Sequence, residues 1–221
     1  MLIFFKGEKN MRYLSAIALT VLSVGCTRTS DFMTRYHEDG RAKPVAAIAS
    51  MIDTTSFDAP WSLSEELTSM ITSQIGQTGK IFVSSKEDDS FAENPFGQDL
   101  SWVKREFSDR EFAVFLELVE HEIAPVSKAK KDFSPQEISS NLNIAIRLRV
   151  IDVRGTTPKI VLQEMVRDSY FIPKTLIPVD YNTTVWGSPE FQKSPMGIAH
   201  AQIVREIVSR VSDYILLAKS R

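Results

Sequence analysis

The chain of 221 residues contains a single cysteine, Cys26, so no intramolecular disulfide can form and no zinc site built from cysteine thiolates is available. Histidine is nearly as scarce. His37, His121 and His200 are the only three, none is spaced from another as metal ligands on one helix would be, and each reads as a surface or partly packed residue. No metal and no cofactor is expected. An excess of one charge is also missing: 26 basic residues against 28 acidic ones give a formal charge of −2, without the basic footprint of a nucleic-acid binder. No Ser or Cys nucleophile motif occurs. The segment Gly76-Gln77-Thr78-Gly79-Lys80 fails as a phosphate-binding loop, because two residues rather than four separate its glycines and Ile81 follows the lysine. It reads as a helix stop.

What is present begins with an apolar and small-residue run from Leu14 to Val24, which at eleven residues is too short to cross a bilayer, where roughly 20 are needed. Lys6, Lys9 and Arg12 precede the run, Gly25-Cys26 closes it and the polar stretch Thr27 to Lys43 follows, which is the layout of a secretory signal. A start at Met11 would make that signal shorter. The residues Leu22-Ser23-Val24-Gly25-Cys26 resemble the lipobox of bacterial lipoproteins, with Ser23 standing where the family usually carries an aliphatic residue. The resemblance implies cleavage before Cys26, acylation of its sulfur and, with Thr27 at the second mature position, sorting to the outer membrane. Processing removes three cations and one anion and takes the formal charge from −2 to −4, so membrane attachment would come from the acyl chains on Cys26. The expected organisation is a signal peptide over 1–25, a lipidated cysteine and flexible tether over 26–43, and one globular domain over 44–221.

In that domain, Val45 to Ile52 is apolar without alternation and predicts an interior strand covered on both faces. Ser62 and Glu65 form a capping box, and Leu63, Leu67, Met70, Ile71 and Ile75 recur at helical spacing until Gly76 and Gly79. Ile81 to Val83 predicts a second strand parallel to the first. A short helix over Leu100 to Phe107 leads into a third strand, Phe112 to Val119. Leu142, Ile144, Ile146, Leu148 and Val150 alternate with Asn143, Ala145, Arg147 and Arg149, predicting a strand with one apolar and one polar face. A turn around Gly155 returns the chain as a fifth strand, Lys159 to Ile172. Ser194-Pro195 opens a long terminal helix striped by Ile203, Val204, Ile207, Val211, Tyr214 and Ile215. The predicted fold is a mixed α/β (α+β) sandwich of three-layer type: a central mixed sheet of about five strands, a crossover helix and a long carboxy-terminal helix.

The third strand carries Glu117, Glu120 and Glu122, and simple alternation points Glu117 away from the other two, as a charged strand end that guards against edge pairing. Arg147 and Arg149 read as a solvated face or as ion-pair partners of neighbouring strands. The excursion Pro173 to Lys193 is long for a compact domain and holds the candidate partner-binding residues Tyr181, Trp186 and Phe191. Aromatic side chains there provide large contact area for an interface. They serve equally as a loop folded back over the domain's own core, and both readings stand.

Three details carry a wider resemblance: Ile52-Asp53-Thr54-Thr55 after the opening strand, the helix Ser62 to Ile75 leading into Gly79-Lys80-Ile81-Phe82-Val83, and the strand end Val150-Ile151-Asp152-Val153-Arg154-Gly155. From about Val45 to Leu217 the chain resembles an envelope-lipoprotein superfamily. That group includes penicillin-binding-protein activators, the curli-secretion lipoprotein and the amino-terminal domain of the translocation protein that partners the peptidoglycan-associated lipoprotein. The resemblance implies a fold and a non-enzymatic binding habit. The short tether departs from the activators, and 122–141 and 173–193 lack the alternating runs of about ten residues that membrane-inserting hairpins require. The leading expectation is a lipid-anchored, non-catalytic protein-protein interaction module of the bacterial envelope, facing the periplasm, with an envelope protein as partner and no nucleic acid. The alternatives are an activator of a peptidoglycan synthase, and an envelope hydrolase or small-ligand binder. A pocket joining Glu120, His121 or His200 would favour the last, and an apolar patch around Trp186 the module.

Overall fold

The structure, a computed structural model, describes residues 34–84, 93–126, 139–173 and 184–221. Cys26 and Tyr181 lie outside the described residues. Val45–Ile48 (β1) is the inner strand that the unbroken apolar run predicts. It lies parallel to Phe82–Ser84 (β3), with Val45 opposite Phe82, and parallel on its other side to Phe112–Pro125 (β4), with Ala46 opposite Phe112. The run does not continue as one strand to Ile52. Thr68 Oγ1 accepts from the Met51 N–H at 2.9 Å and Ser64 donates to the Met51 carbonyl, so side chains of the helix Leu63–Gln77 (α1) occupy backbone groups that a continuous strand would give to the ladder. The chain rejoins β4 as a separate strand, Ile52–Asp53 (β2), opposite Glu117 and Leu118. The sheet therefore has six strands where about five were expected.

Ser140–Asp152 (β5) pairs antiparallel with β4, and Lys159–Ile172 (β6) pairs antiparallel with β5, giving the order β3-β1-β4-β5-β6 with β2 beside β4. β4 runs to Pro125 instead of stopping at Val119, because β5 supplies partners as far as Ser140. Ser101–Glu106 (α2), Pro189–Lys193 (α3) and Pro195–Lys219 (α4) complete the fold. Ser62 caps α1 by accepting the Glu65 N–H at 3.1 Å, and Ser194 caps α4 by accepting the Gly197 N–H at 3.0 Å. Leu67, Ile71 and Ile75 of α1 meet Ile203, Ile207, Val211 and Ile215 of α4 in one core with Leu116, Ile146 and Leu148 of the sheet. Each such side chain contributes about 1.5–3 kcal/mol on full burial. On the opposite face Ala47, Ala113, Phe115 and Ile151 pack with Trp102, Val103 and Phe107, and this smaller core makes the three layers.

The second face of β5 is not the polar face that alternation predicts. Ile151 is buried there, and Arg149 is only 4% exposed. Its guanidinium donates to the carbonyls of Pro95 at 2.8 Å, Gly97 at 2.7 Å and Phe96 at 3.0 Å, and to Gln163 Oε1 at 2.8 Å. A buried cation is tolerated when its donors are filled in this way. Residues 34–43, the end of the expected tether, are docked: Tyr36 bridges to Ala42, and the Arg35 guanidinium sits 5.1 Å from the centre of the Phe82 ring. Among the described residues, no helix is long and apolar enough to cross a membrane.

Candidate functional site

A β-bulge decides where the chemistry of β4 points. Leu118 stands opposite Ile146 and Glu120 opposite Ala145, so Val119 is the extra residue, and every side chain after it changes face. His121, which simple alternation would turn outward from Leu118, is carried to the helix side with Ile144 as its neighbour. Glu117, Glu120 and Glu122 accordingly share the outer face, which corrects the opposed arrangement expected from the sequence. Glu117 pairs with Arg147, and Glu120 with Arg167 at 3.1 Å.

Inside the helix layer, His121 meets two polar residues that the apolar stripes bring with them. Glu66 lies on α1 between Leu63 and Leu67, and His200 lies on α4 between Met196 and Ile203; both are 0% exposed. His200 Nδ1 stands 2.7 Å from Glu66 Oε1, Trp61 Nε1–H donates to Glu66 Oε2 at 2.7 Å, and the two Nε2 atoms of His200 and His121 are 2.9 Å apart. Two donors thus serve the buried carboxylate. One of the two facing Nε2 atoms donates and the other accepts. His121 Nδ1 is buried and has no hydrogen-bond partner among the described residues. Burial first, and then the neighbouring His200, push the His121 imidazole down to about 3, with its own backbone opposing weakly. Its ring meets Phe57 edge-on, with centroids 4.3 Å apart.

Next to His121 the sheet opens. Thr54 N–H bonds to the Leu118 carbonyl at 3.0 Å, and beyond it the chain swings away from β4. The gap between Thr54–Asp58 and Val119–Ile123 is a cleft of about 520 Å³ lined by Asp58, Glu120, His121 and Glu122. A second cavity of about 390 Å³ lies between Met70 and Gln74 of α1, Gly197 and Ala201 of α4, and Trp186. Trp186 is half-buried against the core, whereas Phe191 is only 3% exposed and packs edge-on against Trp61 at 5.3 Å. Of the candidate partner-binding residues, Trp186 is therefore set at the cavity and Phe191 beneath it, as part of the core. The sequence expectation names a pocket joining Glu120, His121 or His200 as the mark of a hydrolase or small-ligand binder, and the cleft does bring Glu120 and His121 together; it does not single out Glu66, although a carboxylate at an inward stripe position is visible there.

The model of a family described as a family of unknown function, DUF7499, matches residues 32–219. No curated protein matches the chain. Among solved structures, a hypothetical protein from Chlamydia trachomatis superposes with a TM-score of 0.64 at 25% identity, covering 79% of this chain and 98% of that one. A protein from Xanthomonas campestris assigned to family DUF330 shares the fold, with a TM-score of 0.51 at 7% identity over 81% of this chain and 90% of that one. A lipoprotein from Neisseria meningitidis gives a TM-score of 0.40 at 8% identity, covering 77% and 99%.

Proposed function

We propose that this chain, which belongs to DUF7499, a family of unknown function, is a lipid-anchored, non-catalytic protein-protein interaction module of the bacterial envelope, attached to the outer membrane through Cys26. The observation that carries the non-catalytic reading is the enclosure of the Glu66–His200 pair. A carboxylate that orients an imidazole is the usual support of a general base, and such a base needs a hydroxyl, a thiol or a water to act on. Here both residues are sealed from solvent, and the group at the far end of the chain is a second imidazole. The pair ties α1 to α4 and to β4.

The binding half of the reading draws on Trp186, whose indole borders an apolar cavity between α1 and α4. The anchoring half draws on the position of the lone cysteine directly behind the apolar run. Mass spectrometry of the protein purified from bacterial membranes tests the anchor: the expected product begins at Cys26 and carries acyl chains on its sulfur. A Cys26→Ala chain should leave the membrane fraction. An unprocessed amino terminus, or an unmodified sulfur, overturns the anchor. A photo-crosslinking residue at position 186 should capture an envelope protein that the same residue at the exposed Asp213 position does not; equal capture at both overturns the Trp186 surface.

A further inference from the structure

Charge is sorted along the strands of the sheet. One end of the molecule gathers the starts of β1, β3, β4 and β6 and the finish of β5 and α4: Val45 stands opposite Phe82, Phe112 opposite Asp152 and Asp152 opposite Lys159, while Arg154 donates to the Ala218 carbonyl at 2.7 Å and Lys104 to the Gly155 carbonyl. The segments that meet there, 34–44, 78–81, 104–111, 152–159 and 219–221, carry eleven basic side chains against six acidic ones, although the processed chain as a whole carries −4. This end is cationic on an anionic molecule. Its acidic groups are largely spent, since Asp39 holds Arg41 at 2.7 Å, Asp152 holds Arg154 at 2.7 Å and Glu111 holds Lys219. Arg35, Lys80, Lys159 and Arg221 are exposed and have no ion-pair partner among the described residues. Among these cations stand apolar side chains that the core does not use: Tyr36 beside Arg35, and Ile160, Tyr214 and Leu217 around Lys159 and Arg221, each 41% or more exposed. The last three line one hollow of about 430 Å³ with Arg154. Tyrosine rings and basic stems interleaved with aliphatic side chains are the composition of a surface that lies at lipid headgroups.

We propose that this end of the sheet is a membrane-apposing face whose partner is a lipid surface carrying anionic phospholipid headgroups. The tether enters on the same side. Residues 34–43 are docked at this end, with the Arg35 guanidinium over Phe82, and the stretch from Cys26 to Thr34 reaches only about 26 Å at roughly 3.3 Å per residue. The path β3-β1-β4-β5-β6 is about 19 Å across at roughly 4.8 Å between strands, so an anchor at Cys26 keeps the whole end within reach of the bilayer. Each unpaired cation within a Debye length of the surface adds to the attraction, and the exposed apolar side chains enter the headgroup boundary. Net charge taken over the whole chain hides this, because the excess of carboxylates lies elsewhere. An acidic protein would answer the cations too, but the anchor sets this end against lipid. The inference rests on the amino-terminal attachment of the proposed function and adds to it the orientation in which the domain is held.

The test is photo-crosslinking of the full chain, purified in detergent and returned to lipid nanodiscs, where acyl chains on Cys26 or an uncut run from Leu14 to Val24 keep it at the bilayer. In discs of phosphatidylethanolamine with phosphatidylglycerol, a photo-crosslinking residue at position 217 should form lipid adducts at about fivefold or more the yield of the same residue at position 198, which is similarly exposed at the opposite end of α4. Lys80→Gln with Lys159→Gln and Arg221→Gln, all at exposed positions, should lower the yield at 217 about threefold or more, and discs of phosphatidylcholine alone should do the same. The amino-terminal mass of the same preparation reads acylation separately. Preferential adducts at 217 on a chain with unmodified Cys26 overturn the anchor and keep the face, whereas equal yields at 217 and 198 overturn the face whatever Cys26 carries. A yield that the three substitutions leave undiminished overturns it as well, and so does a protein adduct at 217 in intact cells in place of a lipid one.

Discussion

Glu66 and His200, 134 positions apart in sequence, meet at 2.7 Å where solvent does not reach. The contact joins the first turn of α1 to the first turns of α4, and through His121 it joins both to β4. Hydrophobic packing between these elements is not directional. A chain of polar groups with fixed partners is, so it specifies one relative setting of the two helices.

Removing one member should therefore cost more than the contact itself contributes. Glu66→Ala takes away the carboxylate that serves Trp61 Nε1–H and the fully buried His200 Nδ1, and a loss of about 3–5 kcal/mol is expected, read from urea denaturation midpoints. Replacing both ends with apolar residues, Glu66→Leu with His200→Phe, should recover part of that loss. A double variant as unstable as the sum of its single changes would show that the polar chain is not what couples the helices.

Acid should weaken the fold through His121. Its imidazole titrates near 6.5 when free and near 3 in the folded chain, because it is buried and faces His200. Between those values the unfolded chain binds a proton that the folded chain refuses. The penalty is absent above pH 6.5 and grows as pH falls towards 3. At 1.36 kcal/mol per unit, lowering the pH from 6.5 to 5 should cost about 2 kcal/mol. The measurement is the unfolding free energy of the native chain and of His121→Phe at both values. An equal slope in the two proteins would place the effect elsewhere.

Backbone proximity makes a third prediction at the corner between α3 and α4. A Cβ on Gly197 would lie 2.0 Å from the Phe191 carbonyl oxygen, which is backbone and cannot rotate aside. Gly197→Ala should therefore cost about 3 kcal/mol or more, whereas the usual effect of replacing glycine with alanine inside a helix is a gain. Thermal unfolding reports the sign directly. A stabilised Gly197→Ala chain would mean that the two helices part easily at this corner.

Most of the framework was legible because its cause is local. β6 extends from Lys159 to Ile172 as expected, and α1 begins at the Ser62 cap that the capping box marks. The central sheet with helices packed on it follows from those patterns. What escaped depends on groups far away in the chain. The break between β1 and β2 is made by Ser64 and Thr68 reaching back to Met51. The bulge at Val119 exists only relative to β5, yet it reverses the facing of Glu120, His121 and Glu122. For Glu66 and His200 a signal was present, since each stands at an inward position of an apolar stripe, but a stripe does not say which buried polar residue meets which. Of the cleft, Glu120 and His121 were named as residues a pocket would join, but its shape was not legible, because it is the space left where one strand turns away from another.

Arg149 supplies the last prediction, at the other face of the sheet. Its guanidinium is the anchor that holds the backbone of Pro95, Phe96 and Gly97 over β5, with the Phe96 ring centred 5.5 Å from its charge and 4.4 Å from that of Arg147. The segment it holds leads directly into α2, whose Trp102 and Val103 close the smaller core. In Arg149→Met the stem volume is roughly kept, so a cavity is not the main loss. Three carbonyls lose their donor instead, at about 1 kcal/mol or more each, and both Phe96 and the 94–97 turn lose what fixes them. Hydrogen exchange should accelerate first across 94–107 while β4 and β5 stay protected, because the larger core does not touch this anchor. Arg149→Lys should rescue little, since an ammonium cannot match the planar fork that reaches several carbonyls at once. Uniform acceleration across the whole sheet would show that Arg149 supports the global fold and not this segment alone.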